Sequence, residues 1–472
     1  MYTFILAAVA LVLGYVFYGK IVEIVFHPDD RPTPAVTSCD GMDCVPIPKW
    51  KAFIIQLLNI AGTGPIFGAV MGAIWGPAVF LWIVLGSILG GAVHDYMSGM
   101  ISVRNNGASI TEIVGRYLGK YVKLLFLPFS VVVLVLVAAV FTKSAADLFT
   151  VISGVNVWIW IAVILMYFFL SCVLPINEII GRIYPFFGVI LIAMVVLLVG
   201  GTALCGYSVP EMTFENQHPE GLPMWPFMFI TVACGAISGF HATQSPMIAR
   251  CLTSERQGRW VFYGAMIAEG LIALCCAAAA LAFYGNGGAI YAAVQSSGIS
   301  KAICDIASST VGAAGAVLTA IGIAVCPITS GDTAMRSIRL IIMDHLKIGS
   351  MNRRMVLIIT SVIAAVVLGL MFIDFNILWR YFSWSNQTMA TVVLWTATVY
   401  LVLNSRKIYY ALITLLPALF MSAVTMTYLL TAPEGFGIDY GVSVCAGAAI
   451  AALFGLVFLR FAFKEHANRT SI

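Results

Sequence analysis

The run Asn59-Ile60-Ala61-Gly62-Thr63-Gly64-Pro65 stands near the middle of the apolar stretch 51–74. A second run, Cys234-Gly235-Ala236-Ile237-Ser238-Gly239-Phe240-His241-Ala242-Thr243-Gln244-Ser245-Pro246, stands inside the apolar stretch 225–249. Both combine glycine, polar side chains and proline at a depth where hydrocarbon offers no water. An unpaired backbone N–H or C=O there costs several kcal/mol, so backbone opens only where it lines protein or a cavity. Taken singly, such a run favours close helix packing through small residues or a simple proline kink. Taken together, with each run opening a block of five apolar stretches, they point to paired discontinuous helices of an inverted-repeat transporter. The residues exposed by the two breaks, Asn59, Gly62, Thr63, Gly64, Ser238, Gly239, His241 and Gln244, are the candidate substrate ligands.

Working outward, the chain of 472 residues is 61% hydrophobic and 10% charged, with a mean hydropathy of +0.99. Charges this sparse cannot cover a water-facing surface, and stretches of the ~20 residues needed to span a bilayer recur along the whole length. Thirteen spans are expected at 2–19, 51–74, 77–101, 121–142, 155–173, 184–206, 225–249, 259–284, 310–331, 355–373, 376–402, 408–430 and 438–463. The first lacks a basic lead and a small-residue cleavage site, and Lys20 follows it, so it reads as a retained span rather than a signal peptide. With the N-terminus outside and the C-terminus in the cytoplasm, all of the 25 Lys and Arg residues except Lys143, Lys301 and Arg380 fall on inner segments. That is the asymmetry of an inner-membrane protein. Residues 331–346 read as an amphipathic helix continuing span 9 into the cytoplasm. The expected organisation is 1–50 as an extra N-terminal helix with its loop, 51–206 and 207–402 as two five-helix repeats of opposite orientation, and 403–472 as two C-terminal helices and a tail.

Ionisable groups inside spans carry function by default. Glu269 sits well inside span 8, where desolvation favours the neutral acid unless a cation is near. It can carry a proton, help to hold a cation, or simply bond a neighbouring helix. His94 and Asp95 lie toward the inner end of span 3. Successive residues point about 100° apart on a helix, so Asp95 is free to pair with an inner-loop arginine as a structural or gating bridge; the alternative is a coupling role for the two. His241 lies within the second break, as a satisfied core histidine or as a substrate or proton ligand. A metal site from His94, Asp95 and His241 is conceivable, as is one around Cys39 and Cys44, but neither spacing completes a ligand set. Thr329 and Ser330 of span 9, with backbone oxygens near Ala61, supply neutral hard oxygens for Na⁺; the alternative is hydroxyls bonding their own helix beside Pro327. Asp332 and Arg336 are four residues apart, which favours a local pair. Asn386 and Gln387 read as inter-helix glue, with a ligand role as the alternative, and Arg380 as an outer gate with Asp374 or a substrate carboxylate.

Several blocks in order resemble the carbon starvation protein A family: Arg31-Pro32-Thr33-Pro34, Asp40-Gly41, Lys49-Trp50, Ile60-Ala61-Gly62-Thr63-Gly64-Pro65-Ile66 and Gly91-Ala92-Val93-His94-Asp95-Tyr96. Arg104-Asn105-Asn106-Gly107-Ala108-Ser109, Ile180-Gly181-Arg182-Ile183-Tyr184-Pro185, Ser238-Gly239-Phe240-His241, the Glu269 segment, Asp332-Thr333-Ala334 and Ser385-Asn386-Gln387 continue the likeness. There are departures. Ile55-Gln56 stand where many members carry His-His or His-Gln, His94 stands where many carry Gln, and the C-terminal extension of long members has no counterpart. The resemblance implies peptide uptake in carbon starvation, with pyruvate and proton symport in some relatives, and a LeuT-like fold of the amino acid–polyamine–organocation group. It also implies a cation between Ala61 backbone and Thr329/Ser330.

The expected protein is thus an all-α secondary transporter of small organic nutrients (peptides, pyruvate or amino acids), coupled to H⁺ or Na⁺, needing no cofactor and touching no nucleic acid. A channel or a starvation sensor are the alternatives, although no repeated selectivity filter and no signalling domain is visible. No metalloprotease helix, nucleophile elbow or phosphate-binding loop argues for an enzyme or an ATP-driven pump. Reporter fusions test the orientation: those after Gly107 and at the C-terminus should report cytoplasm, and those near Glu215 or Gly287 the outside. A consistent reversal overturns it.

Overall fold

A computed structural model describes residues 1–38, 41, 43–174, 180–232, 234–348, 352–405 and 407–470. All regular elements among them are helical. Ten are long and apolar enough to cross a membrane. The remaining three expected spans are also present in the described residues. Span 2 is a pair, Lys49–Ile60 and Gly64–Trp75, bent by 60° at its break. Span 5 is the shorter apolar helix Val157–Val173. Span 7 is interrupted, with Met224–Thr231 before its break and His241–Ala249 after it. Span 9 is longer than expected: one element runs Ile299–Leu346, turning at Gly312 (φ 69°), and its inner end continues as the predicted amphipathic helix. A short helix, Gly287–Ser297, lies between spans 8 and 9, closed by Gly298 at φ 81°.

The two breaks have local causes. Span 2 leaves the helix at Ala61 (ψ 71°) and restarts at Gly64-Pro65, where proline fits a first turn because its missing N–H has no partner to lose. Span 7 leaves at Val232 (ψ 57°) and resumes at His241. The breaks cross each other. A Cβ added at Gly64 would overlap the Cys234 side chain, one at Gly68 would lie 2.9 Å from the Thr231 carbonyl, and one at Gly235 would lie 2.7 Å from Ala273 Cβ of span 8. Only glycine lets these backbones approach so closely.

Opening a helix frees backbone groups that hydrocarbon cannot satisfy, and three neighbouring spans supply the partners. In span 9, Thr329 and Ser330 both donate their hydroxyls to the Leu58 carbonyl (2.8 and 3.1 Å). In span 3 (Val79–Arg104), Ser87 donates to the Gly235 carbonyl at 3.1 Å. In span 11 (Phe375–Asn404), the Asn386 side chain accepts from the Phe240 N–H at 2.7 Å, and its main-chain carbonyl accepts from Gly239 at 3.2 Å. The break of span 7 is therefore laced to span 11, as expected of inter-helix glue at Asn386.

Gly239 has backbone on its open side, since an added Cβ would meet the Asn386 carbonyl and the Ala390 N–H. Gly200, inside the helix Ile180–Leu204, has nothing within 4 Å. Gly239→Ala should therefore destabilise the protein by at least ~1–3 kcal/mol through overpacking, whereas Gly200→Ala should be neutral or stabilising by up to ~1 kcal/mol. Thermal unfolding in detergent compares the two. Equal tolerance at both positions would contradict the lacing of span 7 to span 11.

Candidate functional site

Four ionisable side chains from three spans meet at the second break. His241 begins the helix that follows it, Asp95 and His94 come from span 3, and Glu269 comes from span 8 (Glu255–Tyr284). All four are fully buried. Asp95 sits between two imidazoles: His94 Nδ1 is 2.8 Å from its Oδ1, and His241 Nδ1 is 2.9 Å from its Oδ2. The far nitrogen of His241, Nε2, lies 3.5 Å from Glu269 Oε2. The result is one line, His94–Asp95–His241–Glu269. Both histidines donate from Nδ1, because an ionised carboxylate only accepts. The Nε2 of His94 and both Glu269 oxygens have no hydrogen-bond partner among the described residues.

This corrects the expectation for Asp95, which pairs with the two histidines and not with an inner-loop arginine. Helix geometry allowed His94 to point away from Asp95, but its ring folds back onto its neighbour. The metal alternative gains nothing from the convergence. Both imidazoles aim Nδ1 at one carboxylate, and the described residues contain no group of three or more His, Cys, Asp or Glu placed to hold a metal. Cys39 lies outside the described residues, and the Cys44 thiol donates to the Pro34 and Arg250 carbonyls.

The break residues divide into two sets. Ser238 and Gly239 are held by Asn386. Asn59 (both amide atoms), Thr63 (hydroxyl) and Gln244 (Oε1) are buried without a hydrogen-bond partner. Gln387 joins the second set, with both amide atoms unpaired. It was grouped with Asn386 as glue, but adjacent residues face directions about 100° apart, and that spacing was the available signal that the two could not serve one neighbour. Buried amides without partners are rare enough to need an explanation. Phe141 of span 4 (Lys120–Ser153) packs edge-on against Phe240 and Phe382, with ring centres 5.8 Å apart in each pair, and a Cβ on Gly62 would run into its ring.

Thr329 and Ser330 do reach the first break, on the Leu58 carbonyl three residues before Ala61. Thr329 also lies 3.0 Å from the Val325 and Cys326 carbonyls of its own helix. Five oxygen-bearing groups thus cluster where the sequence reading put a cation, and they already bond one another.

The inner end of span 9 departs from expectation. Arg336 does not form the local pair with Asp332. It donates to Asp43 at 2.9 Å and to the Ser171 and Leu174 carbonyls at the end of span 5. Arg339 holds both Asp43 oxygens (3.0 and 2.9 Å). Asp43 lies in the loop between spans 1 and 2 yet is only 2% exposed, and both arginines are fully buried. Asp332 is instead surrounded by hydroxyls, from Ser171 (2.7 Å), Tyr167 (3.3 Å) and Tyr184 (3.4 Å). At the other end, Arg380 approaches Glu434 (3.9 Å) and not Asp374, which caps its own helix through the Asn376 N–H.

Burial works against a charged Asp43, but Arg339 and Arg336 beside it hold the carboxyl below its ordinary range. A depressed carboxyl contributes stability that is complete above its unfolded value, near pH 4, and is lost as pH falls through the folded value. Asp43→Ala leaves two buried guanidiniums facing no carboxylate, which should cost ~3–5 kcal/mol. The variant should also lose the acid-side part of the parent's stability profile, read by thermal unfolding between neutral pH and pH 3. A parent profile flat to acid would contradict the assignment.

The profile of carbon starvation protein CstA matches residues 1–160, 145–297 and 283–428. An uncharacterized membrane protein of Haemophilus influenzae is 41% identical over 351 residues, which is 62% of this chain and 94% of that protein. The peptide transporter CstA of Bacillus subtilis is 28% identical, covering 58% of this chain and 56% of its own length. The pyruvate/proton symporter BtsT of Escherichia coli is 28% identical, covering 58% and 48%. The chain thus spans about half the length of these two transporters. Among solved structures, MhsT in complex with L-phenylalanine superposes with a TM-score of 0.58 over 81% of this chain and 98% of its own, at 14% identity. A manganese transporter of Eremococcus coleocola superposes with a TM-score of 0.57 over 91% and 98%, at 12% identity. Likenesses this remote in sequence show the fold, which is that of LeuT-type carriers.

Proposed function

Since the chain belongs to the carbon starvation protein CstA family, we propose that it imports a small carboxylate-bearing nutrient, a peptide or a keto acid such as pyruvate, by proton-coupled alternating access. On this reading it lies in the bacterial inner membrane with its N-terminus outside. Residues 51–206 and 207–402 are the two inverted halves, and 1–50 and 403–472 are additions around them.

The observation that carries the reading is the buried line His94–Asp95–His241–Glu269. In a dry interior, charges are expensive unless balanced by close partners. Adding or removing one proton changes the balance of the whole line. His241 is the first residue of the helix after the break, so proton occupancy and break geometry depend on each other. A substrate that contacts the break then binds with an affinity that depends on the proton, and reciprocal linkage makes the proton bind more tightly with substrate.

A carboxylate is the chemistry that a peptide C-terminus and pyruvate share. Two half-helices begin at the breaks, at Gly64 and His241, and helix N-termini favour negative charge. The unpaired groups of Asn59, Thr63, Gln244 and Gln387 offer further hydrogen bonds. Phe141, Phe240 and Phe382 close the site from water.

Sodium is the second reading, favoured by the convergence of Thr329 and Ser330 on the Leu58 carbonyl next to Ala61. Proteoliposomes containing the purified chain distinguish the two, with labelled peptides or pyruvate and imposed H⁺ or Na⁺ gradients. Under proton coupling, Glu269→Gln should reduce pH-driven accumulation at least tenfold, whereas Thr329→Ala with Ser330→Ala, which also strips the Leu58 carbonyl of its partners, should lower total uptake but keep the ratio of uptake with and without a pH gradient. Under sodium coupling the double variant loses Na⁺-stimulated uptake and Glu269→Gln keeps it. If both variants accumulate substrate like the parent, both assignments fall.

A further inference from the structure

Asp332 is a buried carboxylate that the proposed mechanism leaves unused. It lies on span 9, two and three residues beyond Ser330 and Thr329, on the side of the inner end of that helix. It is fully buried. Its Oδ2 accepts from the Ser171 hydroxyl at 2.7 Å, the Tyr167 hydroxyl at 3.3 Å and the Tyr184 hydroxyl at 3.4 Å. Its Oδ1 has no hydrogen-bond partner among the described residues. The single Tyr184 hydroxyl proton is shared with the Thr329 carbonyl, the nearer acceptor at 2.9 Å, which ties this pocket to the groups that hold the first break.

The groups facing Asp332 are Tyr167, Ser171 and Cys172 of span 5, Tyr184 of span 6 (Ile180–Leu204), and Arg336 of its own helix. No Lys, Arg or His among the described residues forms an ion pair with it. Arg336, one helical turn on, is the nearest cation by sequence; its two terminal nitrogens are held by Asp43 and by the Ser171 and Leu174 carbonyls, and its Nε–H has no hydrogen-bond partner among the described residues. Asp332 therefore has only neutral donors in this conformation. A buried carboxyl so placed is suited to hold a proton.

Arg336 has two possible carboxylate partners, one on its own helix and one on a loop. Asp332 is fixed on the same helix. Asp43 belongs to the loop before span 2, which reaches the end of span 7 through Thr33 to the Leu252 carbonyl (2.5 Å) and Ile47 to the Cys251 carbonyl (3.1 Å). If the inner side opens by moving this loop, Asp43 leaves and Arg336 is released. At i,i+4 spacing, an Asp and an Arg can meet across one turn, and a guanidinium in contact favours the ionised carboxyl.

We propose that Asp332 is a second proton-binding site on the inner side of the breaks, loaded while Arg336 is held by Asp43 and emptied to the cytoplasm when the Asp43 loop moves away. The O–H bond of the carboxyl breaks, the proton passes to water at the opened face, and the carboxylate is left paired with Arg336. The proposal rests on proton coupling at the His94–Asp95–His241–Glu269 line.

The test uses the full chain in proteoliposomes, with labelled pyruvate or dipeptide as the probe, and compares Asp332→Asn with Glu269→Gln. Asp332→Asn keeps the size of the side chain and removes the proton site. It should lower accumulation driven by an inward pH gradient at least tenfold more than it lowers exchange of substrate across the membrane. If Asp332→Asn accumulates substrate like the parent while Glu269→Gln does not, Asp332 is not a coupling site and the proton reading stands. If both accumulate like the parent, the proton reading fails and Asp332 falls with it. Should Asp332→Asn not fold, Ser171→Ala with Tyr184→Phe removes two of its donors. The pH at half-maximal uptake should then move by at least half a unit from the parent value; an unmoved profile overturns the proposal.

Discussion

The structure depends on one constraint: a helix opened inside hydrocarbon must have its backbone groups paired by someone else. Spans 2 and 7 are both opened, and each cross-bond that repairs them recruits a different neighbour. Thr329 and Ser330 bring span 9 to Leu58, Ser87 brings span 3 to Gly235, and Asn386 brings span 11 to Gly239 and Phe240. The arrangement of five spans around the centre follows from where these few groups must sit. Glycine at 64, 68, 235 and 239 then allows the approach the bonds require. The remaining spans need far less specification. Span 1 buries little more than Ala7 and Leu11 along its first helix and leaves most of its surface to lipid.

Charge inside the protein follows the same rule of local balance. Asp43 is matched by two arginines, Asp95 by two imidazoles, and Glu255 by Arg104 with Arg31 nearby. These clusters lie at the end of the bundle where the loops after spans 1 and 7 meet the end of span 3, or at the central break. Each joins segments far apart in sequence: Glu255 follows span 7, Arg104 ends span 3, and Asp43 precedes span 2. Buried pairs are costly to break singly, so a motion that parted these segments would have to exchange partners and not merely lose them.

Much of this was legible in the sequence because it is written in local composition. The two breaks announce themselves by glycine, polar groups and proline within apolar stretches, and the distribution of Lys and Arg set the number of spans, each of which is a helix or helix pair here. The Asn386 reading followed from an amide inside an apolar helix. What could not be read was which distant groups meet. Arg336 was matched to Asp332 because four residues is the spacing a helix rewards, but Asp43, almost three hundred positions away, offers it a carboxylate shared with Arg339. Likewise nothing in the sequence says that His94, Asp95, His241 and Glu269 fall into one line. Long-range pairing is a property of the packed helices, and a single sequence has no period or motif that records it.

The atoms that repair the first break are also those that a cation would need, and this explains how one fold serves different ions. The Leu58 carbonyl is paired by the Thr329 and Ser330 hydroxyls, which point their protons at it. For Na⁺ to bind, those hydroxyls must rotate to present lone pairs, and the ion takes over the repair of the carbonyl. If no ion binds, the hydroxyls alone complete the helix. On the proposed reading, what ties transport to an ion gradient is the charge beside the break, the carboxylate–imidazole line ending at Glu269, in contact with the residue where span 7 resumes. A carrier with uncharged residues along that line would keep the same repaired breaks but would have only the hydroxyl cluster with which to couple them.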